Sequence, residues 1–114
     1  MDKMMGELRE ICREIRREIF RQAYYAGGAH LGAAFSVADL LGTLYFGDVL
    51  RYRPDEPKWE DRDRCILSKG HASAALYAVL ALAGYFDREH LKTFCQAGSN
   101  LGGHPKRNEI PGVE

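Results

Sequence analysis

Three of the four histidines stand in short glycine-bearing turns: His71 in Ser68-Lys69-Gly70-His71, His30 in Gly27-Gly28-Ala29-His30-Leu31-Gly32, and His104 in Gly102-Gly103-His104-Pro105. Imidazole titrates near neutrality and both donates and accepts hydrogen bonds. Loop histidines therefore suit acid–base work, or contacts to hydroxyl and phosphate oxygens. A metal site built from these three is compatible with residue type, but the spacing is not that of a metal motif, and the nearest carboxylates read as helix caps. No GxSxG nucleophile motif occurs, and no GxGxxG follows a strand. His90 falls on the polar side of a short helix and reads as a surface residue. A single loop histidine is often only solvent-exposed; the recurrence of the pattern is what points to an anion or sugar-phosphate site.

The first of these turns is flanked by the elements that would position it. Arg64-Cys65-Ile66-Leu67 is a short apolar run that reads as a strand, and residues 72–83 form a helix-forming run ending at Gly84. Strand, tight turn and helix is a layout that brings a polar group and free helix-start N–H groups beside a ligand. Upstream, Met4, Leu8, Ile11, Ile15, Ile19, Gln22-Ala23 and Ala26 recur at three- and four-residue steps, predicting an amphipathic helix over 2–26. Its other face pairs Glu10 with Arg13, Glu14 with Arg17 and Glu18 with Arg21 at i,i+3. Ser36-Val37-Ala38-Asp39 resembles a capping box and predicts a second helix from Ser36 to about residue 46, with Gly42 either weakening it or allowing close packing. Residues 51–62 are charged and broken by proline, a loop with Trp59 as its anchor. Asp87 is the expected N-cap of a fourth helix reaching Phe94 or Cys95, and 96–114 is irregular.

Length and composition bound the function. A chain of 114 residues is at most one domain. Sixteen Lys+Arg balance sixteen Asp+Glu, so bulk charge offers no attraction to nucleic acid or to an anionic membrane. Basic residues on the first helix alternate with acidic ones, which disfavours a nucleic-acid helix. Cys12, Cys65 and Cys95 are far apart, odd in number and without CxxC spacing. They read as free thiols in a reducing compartment, and with no apolar signal core or membrane-length run the expected location is cytoplasmic. With a single strand and helices too apolar for full solvation, the sheet looks unfinished.

These stretches together resemble the transketolase family. Gly27 to Asp39 is similar to its first signature, and Pro57-Lys58-Trp59-Glu60-Asp61-Arg62-Asp63-Arg64-Cys65-Ile66-Leu67-Ser68-Lys69-Gly70-His71 is similar to its second almost residue for residue. Gly103-His104-Pro105 with Pro111-Gly112-Val113-Glu114 resembles the third. The resemblance implies an α/β fold: the N-terminal portion of a thiamine diphosphate-binding domain over 1–114, mostly helical here, with one short parallel strand at about 64–67. It also implies thiamine diphosphate with a divalent metal, normally Mg²⁺, and transfer of a two-carbon ketol unit between sugar phosphates. By position, His71 matches the family's cofactor-binding histidine. His30 matches the channel histidine that handles hydroxyl protons, and His104 the one that bonds the donor's terminal hydroxyl.

Two departures from the family pattern shape the expectation. Ala29 and Leu31 flank His30 where many members have Gly and Pro, and Ala33-Ala34-Phe35 replaces a smaller stretch. The Gly-Asp-Gly segment and downstream Asn that hold the family's metal have no counterpart here, and neither does the Glu that activates the cofactor's aminopyrimidine. The expected protein is thus an enzyme component that needs a completing C-terminal segment or subunit, in a homo- or hetero-oligomer. The alternative is a catalytically silent piece that only associates with a partner. A deoxyxylulose-phosphate synthase is a more distant possibility, which the Ser-Lys-Gly-His match disfavours.

Overall fold

A computed structural model describes residues 2–114. Three α-helices follow in order, α1 (Asp2–Ala26), α2 (Leu31–Phe46) and α3 (Ser73–Ala83), with 3₁₀ turns at Gly70–Ala72 and Arg88–Thr93. The helix α3 is the centre. Residues Ser73 to Ala81 are all buried, and α1, α2 and the Arg88–Thr93 turn pack around them. Its small side chains let these neighbours approach closely. Each fully buried Leu or Val in it contributes about 1.5–3 kcal/mol. Gly84, at φ 102° in the left-handed region that strains any other residue, ends the helix with its N–H bonded to the Ala81 and Leu80 carbonyls.

The first helix forms as its periodicity predicts. Ile15, Ile19, Gln22 and Ala23 are buried, and Ile11 and Ala26 lie against the core. All three predicted ion pairs form: Arg13 with Glu10 at 2.9 Å, Arg21 with Glu18 at 2.9 Å, and Arg17 with Glu14. Glu18 is not on a solvated face, however. It is 1% exposed because Arg88 folds over it, with Nε at 3.3 Å from its carboxylate.

Three elements differ from the sequence expectation. The second helix starts at Leu31, five residues before Ser36. Ser36 is no cap: its hydroxyl donates to the Ala33 carbonyl at 2.9 Å inside the helix, and Asp39 pairs across to Arg16. The helix is carried through its first turn by tertiary packing of Ala34 and Ala38, which outweighs the local capping signal. The fourth helix is a 3₁₀ turn; Asp87 does cap it, accepting from Glu89 N–H at 3.0 Å. The strand at 64–67 is absent, and no strand occurs among the described residues. Cys65 and Leu67 pack inward while Ile66 is 73% exposed, which is a strand's alternation without a ladder. A strand exists only through a hydrogen-bonded neighbour, and among the described residues none lies alongside.

Gly42 resolves to close packing. A Cβ there would sit 2.8 Å from Cys12 Sγ and 2.9 Å from Ile15 Cδ1, so α1 and α2 touch through it. The 51–63 loop closes on itself, Asp63 N–H bonding Arg51 O at 2.7 Å and Arg51 N–H bonding the Asp63 carboxylate at 2.7 Å. Trp59 is half-buried, with the Arg53 guanidinium 3.9 Å above its ring. The loop is tied to the last residues by Arg62, whose Nε and NH2 grip the Glu114 carboxylate at 2.7 and 3.0 Å. Ile110 and Val113 are buried beside it.

Two outcomes test this arrangement. At Gly112, φ is 94° and a Cβ would meet Tyr85 Cδ1 at 2.8 Å and Leu80 Cδ2 at 2.9 Å. Gly112→Ala should therefore lower stability by about 2–3 kcal/mol, read as a fall in the denaturation midpoint. The Arg62 hydrogen bonds hold the Glu114 carboxyl below its ordinary range. Because its folded pKa is depressed, its stabilisation is present above the usual carboxylate pKa and is lost as pH falls through and below that range. Thermal melts of Glu114→Gln should show less acid sensitivity below about pH 5 than those of the wild type.

Candidate functional site

The three glycine-rich turns meet at one end of α2 and α3. His30 occupies the N-cap position of α2, with φ −81° and ψ 72° and no side-chain cap bond. Its ring is free to face outward because Gly27 and Gly28, at φ 80° and 155°, turn the chain sharply between α1 and α2. His71 lies in the 3₁₀ turn that leads into α3. The rings of His30 and His71 meet edge to face, with centroids 5.6 Å apart.

His104 arrives from the irregular tail and packs on Gly70. A Cβ at Gly70 would lie 2.6 Å from His104 Nδ1, so glycine is required there by approach rather than by backbone conformation. Two α3 side chains hold the tail in place. Ser73 Oγ donates to Gly103 O at 2.8 Å, and Tyr77 OH donates to Gly102 O at 2.7 Å. Burial pushes the Tyr77 phenol well above its ordinary pKa, so it remains a donor. Ser73 and Tyr77 are one turn apart on the same face. In the sequence both are simply members of the 72–83 helix-forming run; the available signal was a Ser and a Tyr at i,i+4 within that run, set against a Gly-Gly turn downstream.

All three imidazoles are exposed. A cleft of about 350 Å³ is lined by Gly28, Ala29, His30, Phe94, Cys95 and Gly103, so His30 borders it while His71 and His104 do not. Burial pushes the Cys95 thiol up, away from the thiolate form a nucleophile needs. A larger cavity of about 850 Å³ between 56–60 and 108–112 contains none of the histidines, and its lysine, Lys58, is engaged by Asn108 at 2.9 Å. His90 stays apart from the site, half-buried against Phe86 and bonded to Asn100 at 2.7 Å. Lys69, beside His71, reaches across to the Ser36 hydroxyl.

The arrangement therefore offers three titratable donor–acceptor rings on a glycine-tailored surface, with an ammonium nearby. The residues over which it is built, 9–114, match the family described as transketolase, thiamine diphosphate binding domain. The chain belongs to that family. It is 41% identical over 99 residues to one of the subunits of the apulose-4-phosphate transketolase of Phocaeicola vulgatus, covering 87% of this chain and 34% of that protein. It is 35% identical over 114 residues to a 6-deoxy-6-sulfo-D-fructose transketolase subunit of a Clostridium species, covering all of this chain and 41% of that one. Among solved structures it is similar to the transketolase of Leishmania mexicana, with a TM-score of 0.87 at 34% identity, covering 93% of this chain and 16% of that one. The chain thus spans well under half the length of these relatives.

The family's cofactor can be compared with the side chains present. The His30–His71 pair offers hydrogen-bonding rings suited to a phosphate-bearing group, and the bare Gly70 lets His104 approach the turn that carries His71. Its metal finds no counterpart: among the described residues no three His, Cys, Asp or Glu side chains converge to hold an ion. Likewise, among the described residues no helix is long and apolar enough to cross a membrane.

Gly70→Ala tests the convergence. The added methyl should displace the His104 ring, seen as a shift of its imidazole C2–H resonance, while the His90 resonance stays unchanged.

Proposed function

We propose that this chain is the N-terminal, cofactor-side component of a transketolase-like enzyme that moves a two-carbon ketol unit between sugar phosphates, using thiamine diphosphate and Mg²⁺. The convergence of His30, His71 and His104 from three separate turns carries this reading, together with the family match over 9–114. When bound, thiamine diphosphate supplies the electron sink for breaking and making the carbon–carbon bond. The chain's own residues orient ligands and move protons around it.

His71, on the turn entering α3, is the residue we assign to the cofactor. His30 takes and returns hydroxyl protons of donor and acceptor, a role that suits an exposed imidazole. His104 hydrogen-bonds the donor's terminal hydroxyl, its ring seated by Gly70 and its loop by Ser73 and Tyr77. No step runs through the metal on this chain, since its described residues offer no ligand cluster. A completing segment or partner subunit would supply that site. The two relatives whose names denote subunits support an enzyme divided between chains, in a homo- or hetero-oligomer that works in the cytoplasm.

The absence of a ligand cluster among the described residues also favours a second reading, in which the chain associates with a partner and is catalytically silent by itself. Calorimetric titration with thiamine diphosphate and Mg²⁺ separates the two. The component reading expects binding by the folded wild type that weakens about tenfold or more in His71→Ala, the loss of a charge-assisted contact. No binding by either chain, alone or co-expressed with the downstream segment of a transketolase, would overturn it and leave the silent reading.

A further inference from the structure

The cavity of about 850 Å³ between residues 56–60 of the proline-broken loop and 108–112 of the tail contains no histidine, and the reading above gives it no role. Its walls are apolar, with Pro57 and Trp59 on one side and Ile110 and Pro111 on the other. Arg62 holds both walls. Its NH1 donates to Trp59 O at 2.8 Å, while Nε and NH2 grip Glu114 at 2.7 and 3.0 Å. Lys58 bonds Asn108 at 2.9 Å and joins the walls directly. Burial of Ile110 and the close seat of Gly112 on Tyr85 and Leu80 fix the tail side. The space is therefore preformed, which lowers the ordering cost of binding, and its size is that of a ligand pocket.

The charges that line this cavity favour a cation. Glu56, Glu60 and Glu109 face it against one basic residue, Lys58, whose ammonium is tied to Asn108. Glu60 and Glu109 are exposed and make no ion pair among the described residues. Glu60 lies in the field of Arg62, but that guanidinium is taken by Glu114. The chain itself shows what such a surface holds. The Arg53 guanidinium lies over the Trp59 ring, 3.9 Å from its centroid, with NH1 3.4 Å from Glu56 Oε1. Arg53 does not line the cavity, so this pairing leaves the other face of the indole for a second cation. An indole face attracts a cation through its quadrupole, and a guanidinium adds forked bonds to carboxylate. We propose that the cavity is a docking site for a polypeptide partner that inserts an arginine. The guanidinium stacks on Trp59 within reach of Glu60 and Glu109, and the apolar residues beside it rest on Pro57, Ile110 and Pro111. Trp and Arg are prominent among the residues that anchor interfaces. The site is separate from the histidine turns and stands whether or not the component reading holds.

Trp59 is the chain's one tryptophan, so its emission reports on the site directly. The wild-type chain is titrated with acetyl-Ala-Leu-Arg-Leu-Ala-amide, with the same peptide carrying citrulline, which is isosteric but neutral, and with argininamide. Thermal melts verify folding throughout. The arginine peptide should change the emission saturably and weaken with added salt. It should bind about tenfold or more tightly than the citrulline peptide. Glu60→Gln and Glu109→Gln, both at exposed positions, should each weaken it severalfold, whereas Glu7→Gln on α1 should leave it unchanged. The imidazole C2–H resonances of His30, His71 and His104 should stay in place. No saturable change in a folded wild type, equal binding of the citrulline peptide, or full binding by both glutamine variants at the cavity overturns the proposal. A shift of the three histidine resonances also overturns it, by moving the peptide to the other site. Equal binding of argininamide overturns the polypeptide as the source of the guanidinium. Binding that tightens about tenfold in Arg53→Met overturns the cavity as the location, because the incoming guanidinium would then be taking the place of Arg53. Self-association of the wild type in sedimentation, lost in Glu60→Gln, would make a second copy of this chain the occupant and overturn a separate partner.

Discussion

A helix buried over nine consecutive residues, Ser73 to Ala81, must be wrapped on every side, and most of the molecule exists to do this. The face toward α1 carries a backbone contact, Gln22 Nε2 to Ala74 O at 2.9 Å, in place of pure apolar packing. The face toward the tail carries Ser73 and Tyr77, whose hydroxyls capture two consecutive glycine carbonyls. The helix start, where 3₁₀ geometry passes into α, delivers His71. Burial of α3 and placement of the histidines are therefore one problem. A side chain that shifted the helix would move His71 directly, and His104 through its loop.

The polar interior is arranged with the same economy. Glu18 is enclosed, yet it keeps two guanidinium partners, Arg21 and Arg88, from different elements. A buried carboxylate without them would be strongly unfavourable, so the pair ties the Arg88–Thr93 turn to α1. Arg62 does the same between the proline-rich loop and Glu114. The one buried side-chain polar atom without a partner among the described residues is Gln22 Oε1. Two lysines are held by neutral partners instead, Lys58 by Asn108 and Lys69 by the Ser36 hydroxyl.

Local signals were legible in the sequence wherever one segment sufficed to produce them. The 3.6-residue period of α1 and its three ion pairs were read directly, because they are made within one helix. The family signatures around His30, His71 and His104 were legible as patterns, and their meeting was inferred from resemblance rather than from spacing. What misled was each signal that depends on a neighbour. Ser36 carries a cap's chemistry, but packing of Ala34 and Ala38 extends the helix past it to Leu31. Asp87 caps as expected, yet the segment after it tightens to 3₁₀. The Ser36 hydroxyl instead serves Lys69, 33 residues away, a relation that no local pattern encodes.

The missing strand follows from the same distinction and bears on function. Arg64 to Leu67 has strand composition and strand alternation, with Cys65 and Leu67 inward and Ile66 outward. Sheet structure requires a second strand for its hydrogen bonds, so composition alone leaves this segment an unpaired coil. It runs straight into Ser68-Lys69-Gly70-His71, which means the loop bearing His71 and Lys69 is anchored firmly on its α3 side and only by side-chain packing on the other. A strand added alongside Ile66 would fix both sides at once, making the geometry of the histidine site depend on whatever pairs there. Under the proposed component reading, that coupling has a direct physical consequence. A backbone paired there would order the loop that carries His71 without contributing a side chain to it.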